Sequence, residues 1–191
     1  MNKEERQTAT ATGGTQVALL RGINVGRAKR VAMATLREMF TELGYSNIRT
    51  LLNSGNVVFT APRATPSSAE TQIEKAILAK FGFPSRVTVL SATELAEVIR
   101  DNPLGKVAKD PSRLFVSVLK RPGDRAQLIP LLQQQWEPEV LAIGTRVAYV
   151  WCPEGMLAGR VAEAVGRVLG DGATTRNWAT MTKLHALVQK P

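Results

Sequence analysis

Residues 48–61, IRTLLNSGNVVFTA, predict a β-hairpin in the first half of the chain. Two short apolar runs flank the segment Asn53-Ser54-Gly55-Asn56. Four consecutive turn-forming residues between such runs are typical of a connection between antiparallel strands. Apolar runs at 16–20 and 86–90 predict one strand before the hairpin and one after it.

Helices are predicted between these strands. Apolar residues recur at helical spacing over 33–43, and Ser67 or Ser68 could cap a helix that runs to Phe81. A capping-box pattern, Ser91-Ala92-Thr93-Glu94, predicts a further short helix. The order strand, helix, strand, strand, helix, strand is that of a ferredoxin-like, split βαβ unit.

The second half repeats this order. The predicted elements are a strand at 114–119, a helix at 124–135 interrupted by Pro130, a hairpin at 140–151, a helix at 157–169 and a last helix at 175–189. The sequence therefore predicts an α+β protein of two tandem ferredoxin-like subdomains (βαββα), with antiparallel sheets and a C-terminal helix.

The domain boundaries follow from this order of elements. We expect a disordered leader at 1–14, since this segment is polar, rich in threonine and ends in two glycines. An N-terminal subdomain at 15–102 and a C-terminal subdomain at 112–191 would be joined by a linker at 103–111.

Composition excludes several classes of protein. No run reaches the roughly 18 to 20 apolar residues that a membrane-spanning helix needs, and the N-terminus lacks the apolar core of a secretory signal. The single cysteine, Cys152, excludes an internal disulfide framework and a multi-cysteine zinc site, and His185 is the single histidine. We therefore expect a cytoplasmic protein with no cofactor and no metal.

The charge balance points to anionic partners. The chain has 25 Lys and Arg against 16 Asp and Glu, a formal net charge of +9. Such a surface attracts phosphates, nucleic acid or an acidic partner, although a diffuse positive charge also serves solubility.

The loop after the first strand is the first candidate site. Its sequence, Arg21-Gly22-Ile23-Asn24-Val25-Gly26, joins a buried strand to a helix, where backbone N–H groups can receive an anion. Arg21 and Asn24 could bind directly, while Gly22 and Gly26 would let the backbone approach a ligand. The alternative is a tight turn with solvated cations.

Two further stretches carry candidate side chains. Ser54 and Asn56 could bind a ligand from the hairpin, or they could only satisfy the turn. Arg176 and Asn177 are predicted in the first turn of the last helix, where an arginine is unfavourable to the helix dipole. A ligand or a nearby carboxylate would balance Arg176.

Three motifs together resemble one family. RGINVG at 21–26, SGNVVF at 54–59 and TTRNWATMTKL at 174–184 are similar in order and spacing to the bacterial family known as domain of unknown function 1697. The resemblance covers residues 15–190 and implies an α+β protein with ferredoxin-like subdomains, but no reaction. The family's characteristic polar residues fall on Arg21, Asn24, Ser54, Asn56, Arg176, Asn177 and Lys183.

One position departs from the family pattern. Similar proteins usually have a Ser-Lys pair where this chain has Gly159-Arg160. If that lysine binds an anion, Arg160 keeps the charge but changes the geometry. If it acts as a base or a nucleophile, this chain should lack the activity, because arginine stays protonated.

Three functions fit these observations. The first is binding of a phosphorylated or otherwise anionic small ligand, and the second is an enzyme acting on a nucleotide or phosphate ester. The third is nucleic-acid binding that weakens steeply with salt. No catalytic residue is identified, and the oligomeric state stays open. A single site requires the loop after the first strand to approach the start of the last helix.

Overall fold

Each half of the chain forms a four-stranded antiparallel sheet in the computed structural model, which describes residues 14–26, 29–62 and 64–190. The strands of the first half are β1 (Gly14–Leu20), β2 (Ser46–Leu51), β3 (Asn56–Ala61) and β4 (Val87–Ser91). They lie in the order β2-β3-β1-β4. The helices are α1 (Met33–Glu42), α2 (Pro66–Phe81) and α3 (Ala92–Arg100).

The second half repeats the arrangement. Its strands are β5 (Leu114–Leu119), β6 (Val140–Ile143), β7 (Val147–Trp151) and β8 (Ala173–Asn177), in the order β6-β7-β5-β8. A 3-10 segment, Pro122–Gln133, stands where the first half has α1, and α4 (Arg160–Leu169) and α5 (Trp178–Val188) complete the half. The predicted α+β fold of two tandem ferredoxin-like subdomains with a C-terminal helix is confirmed.

The end of the chain differs from the sequence prediction. Residues 173–177 form the edge strand β8, paired with β5, and α5 begins only at Trp178. The placement of Arg176 and Asn177 in the first turn of a helix was therefore wrong. The second half also has one strand more than the predicted βαββα unit.

Smaller differences have local causes. Thr65 caps α2 in place of Ser67 or Ser68, because Thr65 Oγ1 accepts a hydrogen bond from Ser68 N–H. The segment around Pro130 forms a 3-10 helix, since a proline lacks the N–H that a continuous α-helix needs. Residues 1–13 of the predicted leader lie outside the described residues, while Gly14 begins β1.

Both faces of the first sheet are buried. Ala18 and Leu20 of β1 face α1 and α2, whereas Val17 and Leu19 belong to a cluster shared with the second sheet. This double burial explains why β1 reads as a continuous apolar run without alternation.

The shared cluster joins the two halves. Strands β1, β3 and β4 contribute from the first sheet, and β5 and β7 from the second; α3 and α5 supply further side chains, including Leu95 and Met181. A separate cluster lies between the second sheet and α4. Along the described part of the chain, no helix combines the length and hydropathy that crossing a membrane requires.

Candidate functional site

A close approach between the hairpin and the end of β1 builds the base of the candidate site. Gly55, the turn residue just before β3, has a φ of +79°, and a Cβ there would lie 2.7 Å from Leu20 Cβ and 2.8 Å from Ile23 Cδ1. Leu20 N–H donates to the Gly55 carbonyl over 2.8 Å. Glycine is required at this position both by its backbone conformation and by the space available.

Arg176 reaches from β8 to this hairpin. Its Nε donates to Asn56 Oδ1 over 2.5 Å, and its Nη2 donates to the carbonyls of Leu20 (2.6 Å) and Ser54 (2.9 Å). Its Nη1 donates to the carbonyl of Thr175 over 2.9 Å. One guanidinium thus joins the end of β1, the hairpin and β8, which brings the second and third motifs together beside Leu20, the residue that precedes the first motif.

Asn56 completes this network from a fully buried position. While its Oδ1 accepts from Arg176, its Nδ2 donates to the Leu51 carbonyl (2.9 Å) and to Ser54 Oγ (3.0 Å). Ser54 and Asn56 therefore satisfy the turn and also hold Arg176, Asn56 through its side chain and Ser54 through its backbone carbonyl. Their binding of a ligand stays a prediction.

Arg21 makes the reciprocal contact from the first half to the second. Its Nη1 donates to the carbonyls of Gly170 (2.7 Å) and Ala173 (2.5 Å), and its Nε lies 3.7 Å from Asp171 Oδ1. The Arg21 carbonyl in turn accepts from Ser85 Oγ over 2.8 Å. The side chain remains 42% exposed, so a ligand can reach it.

Asn24 organises the loop after β1. Its backbone is left-handed, with a φ of 54°, and its side chain donates to the carbonyls of Val31 (2.9 Å) and Asn53 (2.8 Å). The second contact ties the loop to the hairpin. Gly22 and Gly26 also have positive φ values, of 69° and 62°. Arg27, one of the loop's cations, lies outside the described residues.

A cavity of about 270 Å³ opens beside Arg21 and Arg176. Its walls come from β5, β7, β8 and α4, and they are largely apolar. The residues that line the cavity are Arg21, Gly22, Phe115, Ser117, Val150, Met156, Ala162, Val165, Gly166, Leu169, Gly170, Ala173, Thr174, Thr175 and Arg176. The two arginines are the only charged residues among these, within the part of the chain that the structure describes.

The charge of Arg176 has no acidic counterpart. The described residues place no Asp or Glu oxygen within 4 Å of its guanidinium, which is bonded to neutral carbonyl and amide oxygens instead. Burial lowers the pKa of Arg176 to about 10. Nη1 carries two hydrogens and has one described acceptor, the Thr175 carbonyl, so one of its hydrogens has no partner among the described residues.

The remaining predicted residues lie elsewhere. Asn177 caps α5, where its Oδ1 accepts from Thr180 N–H over 2.9 Å. Lys183 is exposed on α5, and no described contact joins it to the cavity or to Arg176. Arg21, Gly22 and Arg176 line the cavity; Ser54 and Asn56 hold Arg176.

The Gly159-Arg160 pair forms the start of α4. Arg160 Nη2 donates to the carbonyls of Trp136 (2.9 Å) and Glu137 (3.0 Å), and its Nε lies 3.7 Å from Glu139 Oε1. Arg160 therefore anchors the start of α4 to the loop that precedes β6. It does not line the cavity.

The single cysteine and histidine lie in different surroundings. Cys152 is buried in the cluster beneath α4, where burial and the neighbouring carboxylate of Glu139 raise the pKa of its thiol to about 12. The thiol is therefore protonated at neutral pH. His185 is half-buried on α5. Over residues 14–26, 29–62 and 64–190, no group of three or more His, Cys, Asp or Glu could hold a metal ion.

The sequence did not predict that α4 forms one wall of the cavity. Ala162 and Gly166 lie there one helical turn apart. A glycine inside a helix is less favourable than alanine by roughly 0.5–1 kcal/mol, and that was the available signal. Ser117 and Thr175 were also missed, because only the pairing of β5 with β8 brings them together.

Comparison with known proteins identifies the family. The family described as "Protein of unknown function (DUF1697)" matches residues 14–149. The chain belongs to the DUF1697 family. This confirms the family that the resemblance indicated, and the match ends before the third motif at 174–184. No curated protein matches the chain.

Solved structures support the same fold. The conserved bacterial protein SP0830 from Streptococcus pneumoniae is 24% identical to this DUF1697 chain, with a TM-score of 0.76. The match covers 93% of this chain and 100% of SP0830. Protein BT0572 from Bacteroides thetaiotaomicron is 12% identical, covering 92% of this chain and 99% of its own, with a TM-score of 0.23. Only the first likeness bears on the fold.

Proposed function

We propose that this DUF1697 protein binds a small anionic ligand at the junction of its two halves, in the cavity edged by Arg21 and Arg176. One observation carries the proposal. Arg176 lines the cavity, is half-buried, and has a guanidinium that faces no carboxylate among the described residues.

The uncompensated charge of Arg176 favours an anionic ligand. Removing a cation from water is unfavourable unless hydrogen bonds and an opposite charge compensate. Carbonyl oxygens supply the hydrogen bonds around Arg176, but no acidic side chain supplies the opposite charge. A bound anion would supply it, and Arg21 would add a second charge-assisted contact.

A wider cleft beside Arg21 is a poorer location. It measures about 500 Å³ and is more open, with Lys29, Lys75 and Arg86 among its cations. The carboxylates of Glu74 and Asp171 also line this cleft, and Arg86 lies 3.5 Å from Glu74. An anion there would meet those carboxylates and compete with water, whereas no acidic residue among the described ones lines the cavity beside Arg176.

Thermal unfolding with small anions tests the proposal. The wild-type chain would be heated with inorganic phosphate, acetate, phenyl phosphate, benzoate and glucose 6-phosphate in turn. A ligand at about 100 times its Kd stabilises by about 2.7 kcal/mol and raises the midpoint by roughly 5–10 °C in a chain of this size.

Matched variants locate the binding site. Arg21→Gln removes one charge at the cavity, and Arg125→Gln removes one from an exposed arginine for which no ion pair is found among the described residues. We expect the anion effect to fall in Arg21→Gln and to persist in Arg125→Gln. Equal effects in both variants, or no stabilisation of the wild type by any small anion, would overturn the proposal.

A nucleic-acid ligand would give a different result. Short RNA or DNA would then stabilise the chain at low salt and lose the effect at physiological salt, because phosphate contacts displace counterions. That pattern without any small-anion effect would favour the basic surface over the cavity.

A further inference from the structure

The cavity beside Arg176 combines a charged rim with an apolar interior. Its side walls include Phe115 and Val150 from the second sheet and Val165 and Leu169 from α4. The hydroxyls of Ser117 and Thr175 lie 2.8 Å apart and hydrogen-bond each other, so each already has one partner without a ligand. A ligand inside the cavity would meet mainly hydrocarbon.

Small residues on α4 leave this space open. A Cβ built on Gly166 meets no atom within 4 Å, and Ala162 lines the same wall one turn earlier. A glycine inside a helix is less favourable than alanine, and here it adds no close packing to compensate. Larger residues at these positions would extend into the cavity.

The size of the cavity limits the ligand further. At about 270 Å³ it is slightly smaller than the roughly 300–1000 Å³ typical of small-molecule sites. The hydroxyls of a sugar phosphate would lose water against Val165 and Leu169 without gaining hydrogen bonds there. A compact hydrocarbon group would lose nothing by the same contact.

We infer, resting on the proposed function, that the ligand is a compact amphipathic anion. One carboxylate or phosphate group lies at Arg21 and Arg176, and an apolar group the size of a phenyl ring lies against α4. The two arginines select the charge, while the α4 wall selects the apolar group. The position of Gly166 makes the wall a specificity-determining surface.

Matched probes separate the two contributions. Titrations of the ¹⁵N-labelled chain, followed by NMR, would compare benzoate with acetate, phenyl phosphate with inorganic phosphate, and benzoate with the uncharged benzyl alcohol. We expect each aromatic anion to bind at least about tenfold more tightly than its small counterpart, since burying hydrocarbon favours binding. Benzyl alcohol should bind about tenfold more weakly than benzoate. Whichever of benzoate and phenyl phosphate binds more tightly indicates whether the anionic group of the ligand is a carboxylate or a phosphate.

A variant whose side chain fills the cavity gives the decisive test. Gly166→Leu should weaken the binding of the aromatic anions at least about tenfold, and Gly166→Ala should weaken it less, since the added side chain is smaller. Gly105→Leu is the control, because Gly105 is exposed in open space and lines none of the cavities described. The ¹H–¹⁵N spectrum and the thermal midpoint of each variant verify that it is folded.

The outcomes distinguish this inference from the proposed function. If acetate and phosphate bind as tightly as the aromatic anions, and Arg21→Gln weakens them but Gly166→Leu does not, the small-anion site stands and the amphipathic ligand is wrong. If benzyl alcohol binds as tightly as benzoate, the anionic part of both proposals is wrong. If no probe binds, both are overturned.

Discussion

Arg176 holds the two halves of the DUF1697 chain together through neutral oxygens. Its guanidinium reaches the Leu20 carbonyl, the Ser54 carbonyl and Asn56 Oδ1, which lie in the other half of the chain. A lysine could not make the same contacts, since its ammonium is a single compact group without the planar fork of donors. The residue therefore has a structural role whether or not an anion binds beside it.

Asn56→Ala tests this structural role. The substitution removes the acceptor of Arg176 Nε and both donors to the hairpin from a fully buried position. We expect a loss of about 1–3 kcal/mol in the free energy of unfolding, measured with urea, because a buried charged donor loses its partner. In Gln127→Ala, which removes an exposed amide whose one partner among the described residues is Asp124, the loss should stay within about 0.5 kcal/mol. Equal losses would contradict the role of Asn56.

The candidate residues could be selected from the sequence, but their contacts could not. Arg21, Asn56 and Arg176 stand out by residue type and motif, yet Arg176 and its Leu20 acceptor are separated by 156 positions. Only the fold places them together. Arg176 lies on a strand, so the helix dipole is not the reason why its charge would need a partner. That the charge needs a balancing partner remains a prediction.

Strand β8 shows why some elements escape sequence analysis. Its residues, Ala173–Asn177, are mostly polar, lack an alternating pattern and run directly into α5. The helical pattern therefore extends backward over them. Their strand conformation depends on pairing with β5, in which Val116 lies opposite Arg176. By contrast, β1 is a continuous apolar run, α1 has helical spacing and the two hairpins contain turn residues, so these elements carry their own signals and the sequence located them.

The start of α4 offers a test at the scale of one element. A Cβ on Gly159 would lie 2.5 Å from Cys152 Sγ and 3.3 Å from Ala162 Cβ. Gly159→Ala should therefore lower the free energy of unfolding by about 1–3 kcal/mol, the usual range for overpacking a core. The same clash is expected for Gly159→Ser, the residue that the family resemblance implies at this position.

A double-mutant cycle identifies the cause. Cys152→Ala removes the atom that the new Cβ would meet, so the Gly159→Ala/Cys152→Ala chain should lose less stability than the sum of the two single variants, by at least about 0.5 kcal/mol. Urea unfolding of the four chains gives the coupling. Additive losses would mean that the backbone of α4 shifts and that Cys152 does not set the size of residue 159.

At the scale of the whole molecule, ion pairs cross between the halves. Lys120 Nζ lies 2.6 Å from Glu74 Oε1, and Arg146 bonds Glu94 and lies 3.5 Å from Glu70 Oε1. Burial alone would raise the pKa of Glu74, but hydrogen bonds from Lys120 and from the Val87 N–H outweigh it, and the pKa lies below its usual value.

The pKa values of Glu94 and Glu70 are shifted in opposite directions. Burial would raise the pKa of Glu94, but the backbone N–H of Ser91 and the charge of Arg146 lower it. For Glu70, burial outweighs its partners and raises the pKa. Lowered values for Glu74 and Glu94 contribute stability above a pH of about 4.5, their ordinary pKa, which is lost as the pH falls through the folded values. Glu70 opposes this, since its protonation relieves a destabilising charge.

We therefore expect the free energy of unfolding to fall with acid below a pH of about 4.5. Glu94→Gln should reduce this dependence, because the variant has no carboxylate to protonate, whereas Glu70→Gln should steepen the loss. Urea unfolding between pH 3 and pH 7 measures both slopes. Glu38→Gln is the control, since Glu38 is exposed and makes no ion pair with the described residues. A slope changed equally by Glu38→Gln would contradict a specific role of the pairs.

The shared apolar cluster makes a second prediction for the whole molecule. Val17 and Leu19 from the first half pack with Val116, Val118 and their neighbours from the second. Either half alone would expose these side chains to water, and burying each one stabilises the fold by about 1.5–3 kcal/mol. Although the sequence predicts separate subdomains at 15–102 and 112–191, we expect them to unfold as one unit.

Tryptophan fluorescence can test this, because Trp136, Trp151 and Trp178 all lie in the second half. Phe40→Leu removes part of a buried ring in the first half, where Phe40 contacts the rings of Tyr45 and Phe59. The variant should lose about 1–2 kcal/mol, and in a cooperative molecule the fluorescence-detected urea midpoint must fall by the corresponding amount. Amide exchange in β1 and β3 should report the same loss. A tryptophan transition left unchanged while β1 loses protection would show that the halves unfold separately, and that the contacts of Arg21 and Arg176 join two independently stable domains.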